Sequence, residues 1–147
     1  MEDTMSKIDF ASVNIGDTLP SKSIAVSQQF INAYADICGD YNPLHVDVEG
    51  MKSNAMFGGS TIAHGTINVE PVLQAICDIQ GLRWPAEGTR VDLQFRAPVK
   101  PGFTILSNLV VKEKKSEGGK NILACDMKIQ NKDGGDCVMG TAEILCA

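Results

Sequence analysis

The sequence predicts an α+β protein in which an antiparallel β-sheet wraps around one long, buried central helix. Three observations carry that expectation. From Gly65 to Gln80, the apolar residues Ile67, Val69, Val72, Leu73, Ala75, Ile76 and Ile79 run almost all the way round a helical wheel, the pattern of a helix buried on most sides. Four β-like runs follow it in succession, with period-two alternation in Val91, Leu93 and Phe95 and again in Leu123, Cys125, Met127 and Ile129. Between those runs stand hairpin signals, 98–102, Glu117-Gly118-Gly119 and Lys132-Asp133-Gly134-Gly135.

Taken in order, Thr18 to Val26 reads as a first strand after an irregular start. Ser27 then has the chemistry of an N-cap for a helix that runs to Cys38, with Phe30, Tyr34, Ile37 and Cys38 on one face. Gly39 stops it. Asp40 to Asp47 reads as loop, because Asn42-Pro43 is a turn signal and the residue before a proline is pushed out of the helical region. A helical turn is expected at Val48–Ser53, and Met56–Ser60 reads as flexible connection. Within the central helix Asn68, Glu70 and Pro71 are discordant, and Pro71 predicts a helix that starts late or starts twice. Strands are expected at Thr89–Pro98, Thr104–Lys115, Asn121–Asn131 and Asp136–Leu145.

At 147 residues the chain is expected to form one domain, 1–147, large enough to bury a core without disulfides or a structural metal. The net charge of −5 argues against nucleic acid, whose phosphates require a basic stripe. The N-terminal residues Met1–Met5 have neither a basic nor an apolar signal region, and no run approaches membrane-spanning length, so a cytoplasmic protein is expected. The five cysteines, odd in number, without Cys-x-x-Cys spacing and mostly among apolar neighbours, read as buried reduced thiols.

Chemistry concentrates in two short runs. Gly39-Asp40-Tyr41-Asn42-Pro43-Leu44-His45 sets a carboxylate and an imidazole five residues apart on a segment that Gly, Asn and Pro hold in one shape. Thr61-Ile62-Ala63-His64-Gly65 ends where the apolar helix begins, so backbone N–H groups of a helix start can point into the same space. Both histidines of the chain lie in these runs. Acid, imidazole and helix start together equip a site for proton transfer beside a carbonyl. His64 has two readings, holding its loop against the Asp40 turn or contacting a ligand. His45-x-Asp47 with His64 also copies the two-histidine, one-carboxylate iron pattern, but the second histidine follows too soon and on a different kind of segment, so no metal is expected.

These runs, with Phe57-Gly58, Phe95-Arg96-Ala97-Pro98-Val99-Lys100-Pro101-Gly102 and Gly140-Thr141-Ala142, resemble the MaoC-like (R)-specific enoyl-CoA hydratase and acyl dehydratase family over about Val26 to Ala142. Thr61, where the family often has Pro, and Phe103, where Asp is usual, are departures. The resemblance implies a dimeric hotdog fold that interconverts trans-2-enoyl and (3R)-3-hydroxyacyl thioesters without a cofactor. It implies Asp40 and His45 as the catalytic pair, Asn42 as their support and the Gly65 N–H as donor to the thioester oxygen. His64, Phe57, Trp84 and Arg96 are the expected substrate contacts, with Arg83, Arg90 and Lys100 as further cations for pantetheine phosphates. The expected partners are an acyl-CoA or acyl-carrier-protein thioester and a second copy of the chain, with higher homo-oligomers also open. Two rivals accompany this expectation: a hotdog thioesterase using Glu70, and a non-catalytic acyl-thioester binding subunit.

Overall fold

The computed structural model describes residues 7–146; the N-terminal Met1–Met5 stretch read above lies outside them. Five antiparallel strands form one sheet: β1 (Ser23–Ala25), β2 (Arg90–Phe95), β3 (Thr104–Glu117), β4 (Lys120–Asn131) and β5 (Asp136–Cys146), in spatial order β1-β3-β4-β5-β2. The three long strands are consecutive hairpins, and β2 and β1 flank them as edges. The sheet packs on α4 (Gly65–Gln80), which is one unbroken helix. Ile67, Val72, Ala75, Ile76 and Ile79 from the helix meet Ile105, Leu109, Leu123, Met127, Ile129 and Ile144 from the sheet, all essentially closed to solvent. Burying each of the Ile, Val, Leu and Met side chains in this contact contributes about 1.5–3 kcal/mol.

The four later strands form where the alternation placed them, with ends displaced by a few residues. The first strand is shorter than expected. Pro20 has no N–H to donate, so the 18–26 stretch makes only an isolated bridge from Thr18 to Val110 before regular pairing begins at Ser23. In α1 (Gln28–Cys38), Ser27 accepts from the Phe30 N–H and Gly39 closes the helix at φ 77°, as the capping residues indicate. Ile31 and Ala35 face the interior, whereas Ile37 is 84% exposed, Phe30 is exposed, and Cys38, expected buried with the other thiols, is exposed because it lies on the outer side of the helix.

Two further differences concern the site loop. Residues expected to be all loop contain a helical turn, α2 (Pro43–Val46), because a proline that ends one helix is equally suited to the first position of the next. Asn42 stays extended, as a residue before proline must, and caps that turn through its side chain. The second short turn, α3 (Val48–Met51), lies where expected, and a 3-10 turn at Ala55–Phe57 orders part of the predicted connection. Pro71 sits buried inside α4 without interrupting it, so the helix starts once, at Gly65. Among the described residues no helix is long and apolar enough to cross a membrane.

Candidate active site

The loop between α1 and α2 is built to hold one shape. Asp40 Oδ1 accepts from the Asn42 N–H at 3.1 Å, and Asn42 Oδ1 accepts from the Leu44 N–H at 3.2 Å. Pro43 removes the backbone freedom that remains. Behind the loop, Gln28 donates from Nε2 to the His45 carbonyl at 2.9 Å and accepts from the Thr61 hydroxyl at 2.5 Å. The Ile62 N–H donates to the Leu44 carbonyl at 3.0 Å, so the two sequence motifs are stitched together through their backbones. Tyr41, further out, donates to Asp36 Oδ1 at 2.7 Å; that bond, with some desolvation, holds its phenol above the usual range.

His45 is almost closed to solvent. Its Nδ1 lies 2.8 Å from the Ile62 carbonyl, and because a carbonyl only accepts, Nδ1 carries a proton. That leaves Nε2 facing Asp40 Oδ2 at 3.7 Å, too long for a good direct hydrogen bond and close enough for both atoms to grip a small molecule between them. Asp40 remains half-open, 53% exposed at its side chain, while His45 is held from behind.

His64 takes the first of its two readings. Its Nε2 donates to the Asp40 carbonyl at 2.9 Å and its ring stacks on His45, so it pins the Asp40 turn from the inner side. The residue also precedes α4 without capping it by a side-chain hydrogen bond. Gly65 is therefore the first helical residue, with an N–H that has no acceptor within the helix. The helix dipole adds partial positive charge there.

His45 and Gly65 line one cavity of about 320 Å³ with Phe57, Ile62, Ala63, Asn68, Phe95, Arg96, Ala97 and Pro98. Of the expected substrate contacts, Phe57 and Arg96 line it, and His64 and Trp84 do not. Trp84, 82% exposed, belongs to a separate groove with Glu70, Cys77 and Asp78. Trp84 follows α4 at its far end, a full helix length from Gly65. Asp40 and Asn42 are not among the lining residues either: Asp40 is tied to the cavity through its 3.7 Å approach to His45 Nε2, and the Asn42 side chain is spent as a cap. Glu70 likewise opens onto the Trp84 groove. Sequence reasoning passed over Asn68 and Phe95 as wall residues, although Asn68 had already stood out as a polar intruder in an apolar helix.

Ligand atoms of Asp40, His45 and His64 lie within 4.8 Å of one another. The two rings stack at a 23° interplanar angle, and His64 Nε2 is already engaged with the Asp40 carbonyl. Asp47, the carboxylate of the iron-like spacing, instead accepts from the Gly50 N–H at 2.9 Å.

Several solved structures share this architecture. R-hydratase PhaJ1 from Pseudomonas aeruginosa, in its unliganded form, superposes with a TM-score of 0.77 at 26% identity, covering 95% of this chain and 86% of that one. The (R)-hydratase from A. caviae involved in PHA biosynthesis gives 0.70 at 22% identity over 92% and 98%. The ChsH1–ChsH2 complex from Mycobacterium tuberculosis gives 0.67 at 18% over 91% and 98%; at these identities the last two speak for the fold alone. The hotdog fold expected from the motifs is the fold observed. No curated protein matches the chain. The family model described as "MaoC like domain" matches residues 9–129, most of the chain, and it agrees with both the sheet-around-helix architecture and the two motifs that meet at the cavity. The chain belongs to the MaoC-like domain family.

Proposed function

We propose that this protein is a hydratase/dehydratase that interconverts trans-2-enoyl thioesters and (3R)-3-hydroxyacyl thioesters. The observation that carries the proposal is the 3.7 Å gap between Asp40 Oδ2 and His45 Nε2 beside a cavity that the Gly65 helix start also enters. The likeness to R-hydratase PhaJ1 supports the same chemistry and its R configuration.

In the hydration direction a water sits between Asp40 and His45. Its oxygen bonds to Cβ as Asp40 Oδ2 takes its proton, and a second proton, carried on Nε2 of a His45 that enters the cycle as imidazolium beside the Asp40 carboxylate, passes to Cα. Negative charge that builds on the thioester oxygen meets the Gly65 N–H at the positive end of α4. The proton on Asp40 then crosses to His45, which resets the pair with one water consumed. With Nδ1 locked on the Ile62 carbonyl, His45 can present only Nε2 to the substrate.

Arg96, on the cavity wall, supplies a cation for the pantetheine end of a CoA or carrier-protein thioester. We further propose a homodimer formed through the β2 edge, where Phe95 stands exposed and the strand has no neighbour on its outer side among the described residues. The test is hydration of crotonyl-CoA, followed by loss of the conjugated-thioester absorbance. Wild-type turnover in Asp40→Asn and His45→Gln overturns the proposal, and release of free CoA thiol in place of hydration points to the thioesterase.

A further inference from the structure

Asn68 is 4% exposed and lies on the wall of the His45–Gly65 cavity, yet its Oδ1 has no hydrogen-bond partner among the described residues. A buried amide left unpaired is costly, and proteins rarely retain one without a use. The residue stands one turn into α4, three positions after Gly65 and hence on the same helix face. Helical side chains lean toward the N-terminus, so this amide leans over the turn that holds the Gly65 N–H.

Most of the remaining wall is apolar: Phe57, Ile62, Ala63, Phe95, Ala97 and Pro98. An unbranched hydrocarbon acyl group satisfies that wall and leaves Asn68 unmet. The thioester oxygen and sulfur offer no donor for Oδ1. A hydroxyl does: it donates to Oδ1, and its oxygen accepts from Nδ2 if the amide turns over. The cavity, about 320 Å³, is at the small end for a ligand site and fits a short acyl chain.

We propose that Asn68 is a specificity-determining residue that selects short acyl thioesters bearing a hydroxyl close to the reacting double bond, over their hydrocarbon counterparts. This rests on the hydratase proposal for the site as a whole. The physical basis is asymmetric: a site built to bond a hydroxyl rejects the analogue that lacks it, because the buried amide is then stranded.

The test compares trans-4-hydroxy-2-butenoyl-CoA with its near-isostere trans-2-pentenoyl-CoA, in wild type and in Asn68→Leu. The wild type is expected to favour the hydroxylated substrate by more than about tenfold in kcat/KM, and Asn68→Leu to reverse the order. Equal preference in the wild type, or an equal loss on both substrates in the variant, overturns the proposal; the latter would make Asn68 a partner of the thioester or the attacking water.

Affinities of the saturated 4-hydroxybutanoyl-CoA and pentanoyl-CoA, measured by calorimetry, separate this proposal from the hydratase assignment. Tighter binding of the hydroxylated thioester that disappears in Asn68→Leu supports the Asn68 role even if no enoyl thioester is hydrated. Binding without such a difference, or no binding of either thioester, overturns it. Asn68→Ala provides the same comparison if the leucine variant does not fold.

Discussion

The imidazole of His45 lies flat on that of His64, with ring centroids 3.9 Å apart and planes 23° apart, and the second ring donates to the backbone of Asp40. One histidine therefore sets the position of both members of the acid–imidazole pair, from a place behind the cavity wall. His64→Ala is expected to lower kcat by about tenfold or more while changing KM little, because misplaced catalytic groups cost rate before they cost binding. A loss confined to KM would return His64 to the role of substrate contact.

The pair itself predicts the cost of removing its carboxylate. Asp40→Asn is expected to cut kcat/KM for hydration by about 10²–10⁴-fold, because an amide cannot take a proton from water. Wild-type kcat/KM in that variant would assign the base to another group.

Gly65 offers a way to separate activity from stability. Its backbone is ordinary for any residue, but an added Cβ would come to 3.1 Å from the Phe95 ring at the cavity. Gly65→Ala is expected to hold or raise the melting temperature, since alanine favours helix over glycine by up to about 1 kcal/mol. Crotonyl-CoA turnover is expected to fall by about tenfold or more as the new methyl crowds the thioester oxygen. Unchanged kinetics would mean that the thioester carbonyl binds elsewhere.

Gly140 is the opposite case. On β5 it pairs with Leu93 of β2, and a Cβ there would lie 1.9 Å from the Asp92 carbonyl oxygen, which belongs to rigid backbone. Gly140→Ala is expected to destabilise the protein by more than about 3 kcal/mol, or to detach β2, as measured by chemical denaturation. Because β2 leads into Phe95 and Arg96, the cavity wall would be lost with it.

Stability should also decline in alkali. Burial pushes the Cys125 thiol up to about 12, from the 9.0 of an open thiol, and burial raises Cys137 and Cys146 in the same direction. Well below pH 9.0 folded and unfolded chains both keep these protons, so the thiols leave stability unchanged. Above it the unfolded thiol ionises while Cys125 holds its proton, and folding loses up to about 1.4 kcal/mol per pH unit for that group until about pH 12. Urea midpoints at about pH 8 and about pH 10.5 measure the slope, which Cys125→Ala should flatten.

Much of this protein was legible in one dimension because the relevant signals are local. Alternating residues in β2 to β5, the cap at Ser27, the left-handed Gly39 and the apolar circumference of α4 depend on near neighbours along the chain, and each formed as its chemistry dictates. The pairing of Asp40 with His45 is local as well, five residues within one braced turn. Whatever depends on contact across the fold had to come from the structure. Which side of α1 is buried was decided by what packs on it; Pro71 stays within α4 because the surrounding core holds the helix through it. Trp84 and Glu70 are near the site in sequence and belong to another groove, while Phe95 arrives from a strand thirty residues away to face Gly65. Asn68 shows the division within one side chain: its polarity was plain from the sequence, but only packing could reveal that its carbonyl oxygen is buried with no partner among the described residues.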